Sequence, residues 1–258
     1  NPIIKAVSLT GSEQAGIAVA TEAGKHLKKC VLELGGSNAF IILEDANLEK
    51  AVATAVNARM QNTGQSCIAA KRFLVHENIA EEFVAKFKVA IQNLKTGNPL
   101  DKETQIGSLA RVDLAEELEV QVKKSIQMGA KLIVGGNRKD AFYDPTILTN
   151  VTTEMPVFKE ETFGPVAAII IFKTIEEAIE LSNQSEFGLG VSIFTQDIDF
   201  IKTKISSFNE GAVFINEMVK SDPRLPFGGI KKSGYGRELA EDGIKEFVNV
   251  KTVVINNI

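Results

Sequence analysis

Two residues of this chain stand where side chains could do covalent chemistry. Glu33 lies in the run Val31-Leu32-Glu33-Leu34, and Gly35-Gly36 follow at once. Cys67 ends a polar, glycine-containing stretch, Asn62-Thr63-Gly64-Gln65-Ser66-Cys67. A thiol is a strong nucleophile only as thiolate, and a nearby base either forms that thiolate or activates water afterwards. The glycines after Leu34 let the backbone turn sharply and leave little bulk between the Glu33 carboxylate and a ligand. The two histidines, His26 and His76, lie in no comparable loop, so Glu33 with Cys67 is the best candidate pair for covalent catalysis. Each also has a plainer reading: Glu33 as an ordinary strand-end carboxylate, Cys67 as a small buried hydrophobe. Against the second stands the polar Gly64-Gln65-Ser66, followed directly by the strand-like Lys71-Arg72-Phe73-Leu74-Val75. Cys30, at the start of the apolar Cys30-Val31-Leu32, reads as structural.

Three further motifs carry weaker signals. A strand, then Gly11-Ser12, then a helix is a generic anion-binding arrangement, because free N–H groups and the helix dipole face an incoming phosphate. The same pair also serves tight geometry alone, and it is not the GxGxxG fingerprint. Glu160-Glu161-Thr162-Phe163-Gly164-Pro165 sets two carboxylates beside an aromatic ring, in what is otherwise a solvated loop. The Gly-rich stretch from Pro226 to Gly236 is either a flexible connection or, through Phe227, a pocket wall. No CxxC pair, HExxH or acidic metal cluster occurs, which argues against a metal site.

Elements that could position these residues alternate along the chain, short apolar runs with helix-period segments. That pattern predicts an α/β fold with mostly parallel sheets and flanking helices. Strands are expected at residues 5–10, 31–34, 38–43, 71–75, 131–134, 166–172, 190–195 and 211–216. A helix capped by Ser12 should pack through Ile17, Ala20, Ala23, Gly24 and Leu27. A helix capped by Asp45 or Asn47, carrying Leu48, Ala51, Val52, Ala55, Val56 and Met60, delivers the chain to Cys67. Further helices are expected at about 80–94 and 111–128, after 172, and from Asp197, with a short one near the end. A last strand at 251–255 alternates poorly and is expected to pair with another element or another subunit.

Composition narrows the function. The chain has 258 residues, enough for one large α/β domain or one domain plus part of another. With 44% hydrophobic and 24% charged residues it has an ordinary globular composition, and a net charge of -4 gives no footprint for nucleic acid. Two cysteines without a secretory signal fit a reducing cytoplasm. The longest apolar stretch, 166–172, is far short of the ~20 residues of a membrane span. The opening Asn1-Pro2-Ile3-Ile4-Lys5 has neither an initiator Met nor a signal-peptide pattern, and reads as the middle of a longer protein.

Taken together, LELGG around Glu33, NTGQSC around Cys67, EETFGPV around Glu161 and PFGGIKKSGYGREL near the end resemble the aldehyde dehydrogenase superfamily. The resemblance covers the whole chain in order, and the texture from Cys67 to Phe73 is similar to that of bacterial succinate-semialdehyde dehydrogenases. It implies Cys67 as nucleophile and Glu33 as general base. The thiolate would attack an aldehyde to give a thiohemiacetal, hydride would leave to a nicotinamide, and Glu33 would activate water to hydrolyse the resulting thioester. The cofactor implied is NAD or NADP, with Gly11 and Ser12 at its phosphates, Leu34 beside it, Glu161 on the nicotinamide ribose and Phe163 next to the ring. Phe227 would line the substrate pocket, and Ser221 and Arg224 are candidates for a distal carboxylate of the substrate.

Family members are roughly twice this length, so the resemblance places this chain in their C-terminal half. Residues 1–36 would end the cofactor-binding domain, 37–229 would form the catalytic domain, and 230–258 would be a C-terminal segment with an oligomerisation strand, as expected of a homo-oligomer. The early cofactor-domain strands, the residues that grip the adenosine ribose and an oxyanion asparagine would be absent. The chain alone is therefore expected to be inactive. Two competing readings are a Glu/Lys/Cys amide or nitrile hydrolase, with Lys71 as third member, and a non-catalytic truncated relative.

Overall fold

A computed structural model describes residues 1–256. The chain opens with β1 (Ala6–Thr10), α1 (Glu13–Lys25) and β2 (Lys29–Glu33), a unit in which β1 and β2 pair in parallel. Ser12 caps α1, its Oγ accepting from the Ala15 N–H at 3.2 Å, as the Gly-Ser turn predicts. The packed face differs from expectation. Ala23 and Gly16 are buried and Ala20 is half-buried, whereas Ile17, Gly24 and Leu27 are exposed. Gly16 carries the contact because Leu34 lies against it: a Cβ there would stand 2.6 Å from Leu34 Cδ1. Leu27 falls past the helix end in a left-handed conformation (φ 52°) and points to solvent.

The main layer is built by β3 (Asn38–Ile42), α2 (Leu48–Met60), β4 (Ala70–His76), α3 (Glu77–Gln92), α4 (Val112–Gln127) and β5 (Lys131–Val134). A small hairpin follows, β6 (Arg138–Lys139) with β7 (Phe142–Tyr143), and then β8 (Thr146–Thr149), the single turn α5 (Pro156–Lys159) and β9 (Val166–Phe172). The chain continues through α6 (Ile175–Asn183), β10 (Phe187–Gly188), β11 (Val191–Phe194), α7 (Ile198–Lys204) and β12 (Val213–Ile215). It ends with β13 (Ile230–Lys231), β14 (Gly234–Tyr235) and α8 (Ala240–Lys245). Seven strands form one sheet in the order β12-β11-β3-β4-β9-β8-β5, every pairing parallel except β5 with β8.

Helices cover both faces of this sheet, which is why its central strands read as unbroken apolar runs rather than alternating ones. Along β3, Ala39 and Ile41 face the core beneath α4 and α6, and Phe40 and Ile42 face the core beneath α2 and α3. On the second face Phe40, Phe73, Phe87 and Phe83 form a chain of rings, each 5.3 Å from the next between centroids. This core holds β3 and β4 rigid, and the segments preceding both strands carry the candidate residues.

The C-terminal part folds back on the first unit. β14 pairs antiparallel with β2, so β2 is the middle strand of a three-stranded sheet, β1-β2-β14, while β13 pairs with β10. Residues 251–255, expected as a strand, form none: Val253, Val254 and Ile255 are exposed and, among the described residues, pair with no strand. Among the described residues no helix is long and apolar enough to cross a membrane.

Candidate active site

The loop that presents Cys67 starts where α2 ends. Asn62, Thr63 and Gly64 take left-handed conformations in succession (φ 51°, 57° and 74°), a strained path for a β-branched threonine. It is held from several sides. Arg59 Nη2 donates to the Gly64 carbonyl at 2.6 Å, Thr63 Oγ1 accepts from the Gly107 N–H at 3.2 Å, and Asn62 Nδ2 donates to the Gln65 carbonyl at 2.8 Å. Gly64 has no room for a side chain, since a Cβ would lie 2.3 Å from the Gly164 carbonyl oxygen. That contact joins the NTGQSC loop to the EETFGP segment.

The Glu33 turn meets the same loop. A Cβ on Gly36 would lie 2.7 Å from the Cys67 carbonyl oxygen, and one on Gly35 would lie 2.3 Å from Glu161 Oε2. The two glycines are thus the places where the Cys67 loop and the Glu161 carboxylate approach the backbone. Glu161 Oε1 accepts from the Gly36 N–H at 3.0 Å and faces Lys71 Nζ at 3.2 Å. Asn38 closes the other side, donating from Nδ2 to the Ile68 carbonyl (3.0 Å) and accepting at Oδ1 from the Gly190 N–H (3.2 Å).

Glu33 itself is only 4% exposed, and its Oε1 has no hydrogen-bond partner within the chain. Burial by the 228–236 loop explains this: a Cβ on Gly228 would stand 2.9 Å from that oxygen. Burial pushes the Glu33 carboxyl up to about 8 from its ordinary 4.5, with Glu238 adding to the rise and Arg237 opposing it. Burial also raises the half-buried Cys67 thiol. Lys71 opposes that rise, Glu161 and Glu33 reinforce it, and a hydrogen bond from the Ile68 backbone lowers it. Cys30, as expected, is buried in β2.

The structure brings Cys67, Glu33, Glu161 and the Gly11 turn together, the last through the Gly11 N–H donating to the Glu33 carbonyl at 3.0 Å. Leu34 joins them through its backbone, its N–H donating to the Ser233 carbonyl at 3.0 Å, while its side chain packs on α1. Phe227 is buried and bridged to Glu238 through paired backbone bonds. It lines a cavity of about 330 Å³ together with Phe214, Ile215, Lys220, Asp222 and Leu225. Phe163 is 37% exposed at the edge of the cluster's loop.

Ser221 and Arg224 do not join the cluster. Both are exposed, and Arg224 is already neutralised by Asp222, with Nε to Oδ1 at 2.9 Å and Nη2 to Oδ2 at 2.6 Å. A guanidinium so paired is poorly placed to receive a second carboxylate. Residues that sequence reasoning gave no role, Arg59, Asn38, Ser233, Arg237 and Glu238, prove to frame the site. The only written trace was their position inside or beside the glycine motifs. Among the described residues no group of three or more His, Cys, Asp or Glu could hold a metal.

A largely parallel α/β sheet flanked by helices, with a loop cysteine and a buried glutamate beside its glycine turns, is the architecture that comparison with known proteins identifies. The aldehyde dehydrogenase family matches residues 1–253, and the chain belongs to that family. It is 52% identical over 253 residues to the Escherichia coli succinate semialdehyde dehydrogenase [NAD(P)+] Sad, covering 97% of this chain and 55% of that one. It is 51% identical over 255 residues to a probable succinate-semialdehyde dehydrogenase [NADP(+)] of Synechocystis, covering 98% and 56%. The solved structure of Streptococcus pyogenes succinic semialdehyde dehydrogenase in complex with NADP+ matches with a TM-score of 0.94 at 40% identity, over 98% of this chain and 56% of that one. The chain therefore spans about half the length of the curated relatives it matches. A Glu/Lys/Cys hydrolase is not favoured, since the family matched and the relatives are aldehyde dehydrogenases.

Proposed function

We propose that these residues form the catalytic portion of an NAD(P)-dependent dehydrogenase that oxidises an aldehyde, succinate semialdehyde by similarity to the relatives, to its carboxylate. The observation that supports it most is the convergence of the Cys67 loop and the Glu161 carboxylate on Gly35-Gly36, two residues beyond the buried Glu33. Residues 1–36 would belong to the cofactor-binding domain, 37–229 to the catalytic domain, and 230–258 to the segment that takes part in assembling a homo-oligomer.

The residues fit a dinucleotide. The turn between β1 and α1 leaves Gly11 and Ser12 exposed at a helix start, where phosphates are favoured. The space above Gly35, which a Cβ would fill, is bordered by the Glu161 carboxylate and the edge of the Phe187 ring. Gly11 and Ser12 would hold the phosphates, Glu161 the ribose and Phe163 the nicotinamide, with Leu34 beside the cofactor. Bound NAD or NADP would supply the hydride acceptor.

The chain's own residues account for the rest. The Cys67 sulfur adds to the aldehyde carbon, forming a C–S bond while the oxygen takes a proton. Once the carbon has given up its hydrogen as hydride and the oxygen has released its proton, a thioester remains. Glu33 then accepts a proton from water, the hydroxyl adds to the acyl carbon, and the C–S bond breaks to release carboxylate and restore the thiol. Because burial holds Glu33 protonated up to about 8, its base form grows as pH rises through that value.

The test joins residues 1–258 to the N-terminal part of a full-length relative and follows reduced cofactor formed from succinate semialdehyde. Turnover is expected from the joined enzyme and little from the 258 residues alone, since loss of one oxyanion donor typically costs about 10²–10³ in rate. In the joined enzyme, Glu33→Gln should give a burst of reduced cofactor and then a slow steady state. A joined enzyme without aldehyde oxidation overturns the function, and a Gln variant with normal steady-state turnover removes Glu33 from its role.

A further inference from the structure

Lys71 is fully buried on β4, yet its ammonium reaches the loop above it. Nζ donates to the Ser66 carbonyl at 2.9 Å and to the Cys67 carbonyl at 3.0 Å, and lies 3.2 Å from Glu161 Oε1. A neutral amide could hold two carbonyls. Enclosing a charge to do so costs several kcal/mol, of order, unless the charge is matched. Here it is matched only in part. A second buried cation, Arg59 on α2, also grips the loop, through the Gly64 carbonyl, and its Nε and Nη1 have no partner within the chain. Two cations thus sit beneath one loop with Glu161 as their nearby carboxylate.

The strain of that arrangement is visible on both cations. Burial brings Lys71 down to about 8 and Arg59 to about 9; Glu161 works against both shifts, and Arg59 pushes Lys71 further down. Glu161 is the removable member. Its side chain is 22% exposed, it comes from the segment before β9, and its other bond is to the Gly36 N–H. The charged groups facing Cys67 are therefore Lys71 from β4, Glu161 from that segment and Glu33 from β2.

We propose that Lys71 is a positioning residue for Cys67: its buried ammonium fixes the loop by its two carbonyls and turns a positive field on the sulfur, and Glu161 sets how much of that field the sulfur feels. The inference deepens the reading of Cys67 as nucleophile and rests on it. A ligand that draws the Glu161 carboxylate away, as the proposed ribose contact would, leaves the Lys71 charge unopposed beside the thiol. Arrival of the cofactor and activation of the nucleophile become one event.

The experiment measures the rate of Cys67 alkylation by iodoacetamide against pH, by peptide mapping, in the 258-residue chain and in Lys71→Gln and Glu161→Gln, without cofactor. Gln at 71 keeps an N–H donor toward the loop and removes the charge, so a purely mechanical role leaves the pH profile where it was. Lys71→Gln is expected to slow labelling at pH 7.5 roughly tenfold and to move the profile to higher pH, as loss of one nearby opposite charge does. Glu161→Gln is expected to speed labelling several-fold and move the profile to lower pH. Where circular dichroism shows Lys71→Gln unfolded, Glu161→Gln decides, and an unmoved profile in it overturns the proposal. A Cys67 that labels with one profile in all three proteins overturns this inference alone. A Cys67 that resists labelling at every pH refutes the nucleophile reading and this inference with it.

Discussion

Replacing Glu33 by Gln should stabilise the folded chain, and increasingly so as pH rises. In the folded state the carboxyl is held neutral up to about 8, whereas the ordinary value is 4.5. Below 4.5 both states carry the proton and Glu33 costs nothing. Between 4.5 and about 8 the unfolded chain ionises while the folded chain does not, so stability falls as pH rises and levels off above 8. With 1.36 kcal/mol per pH unit, the penalty is about 1 kcal/mol at pH 5 and about 4 kcal/mol at pH 8. The Gln variant keeps the shape and has nothing to ionise. Its urea-unfolding free energy should therefore exceed that of the wild type by an amount that widens by about 3 kcal/mol between pH 5 and pH 8. A gap of constant size across that range would show that Glu33 is not held neutral by burial. A gap of opposite sign would mean that its ionised form is the one the fold prefers.

Iodoacetamide near neutral pH should label Cys67 before Cys30, because Cys30 is buried in β2; peptide mapping with Cys30 modified first would reverse the assignment. Gly64→Ala should lower the urea-unfolding free energy by about 2 kcal/mol or more, since the left-handed backbone and the Gly164 carbonyl, 2.3 Å from where a Cβ would stand, leave no place for a methyl group, and an unchanged free energy would refute this. Phe87→Ala should cost about 3–5 kcal/mol in the same assay, as the ring is fully buried between Phe73 and Phe83. In the joined enzyme kcat/KM should favour succinate semialdehyde over uncharged aliphatic aldehydes, and the opposite order would exclude it as substrate.

The parts of the fold that could be read in the chain are those whose signal is local. β5 and β9 fall at the expected residues because an apolar run between turns is a strand wherever it packs. Asn47 caps α2 because its side chain needs only the Lys50 N–H, three residues on. The Cys67 loop was legible for the same reason. What could not be read depends on partners far along the chain. The hairpin of β6 and β7 and the strand β8 are short and interrupted by Pro145, and only pairing reveals them. The burial of Arg59 and Lys71 arises only when α2 and the loop close over them, against the usual exposure of cations. The burial of Glu33 comes from glycines some two hundred residues later, and nothing near residue 33 announces it.

That return of the chain bears on recombination. β2 has β1 on one side and β14 on the other, and Ser233 Oγ donates to the Gly35 carbonyl at 2.7 Å while accepting from the Gly188 N–H at 3.0 Å. A crossover placed after residue 36 looks clean in the linear sequence, since it falls in a glycine turn between two strands. In space it severs a knot tied from three distant segments. Chimeras that exchange residues 1–36 between family members should therefore inherit compatibility only when 226–246 travel with them. The unit of inheritance for this site is a discontinuous one.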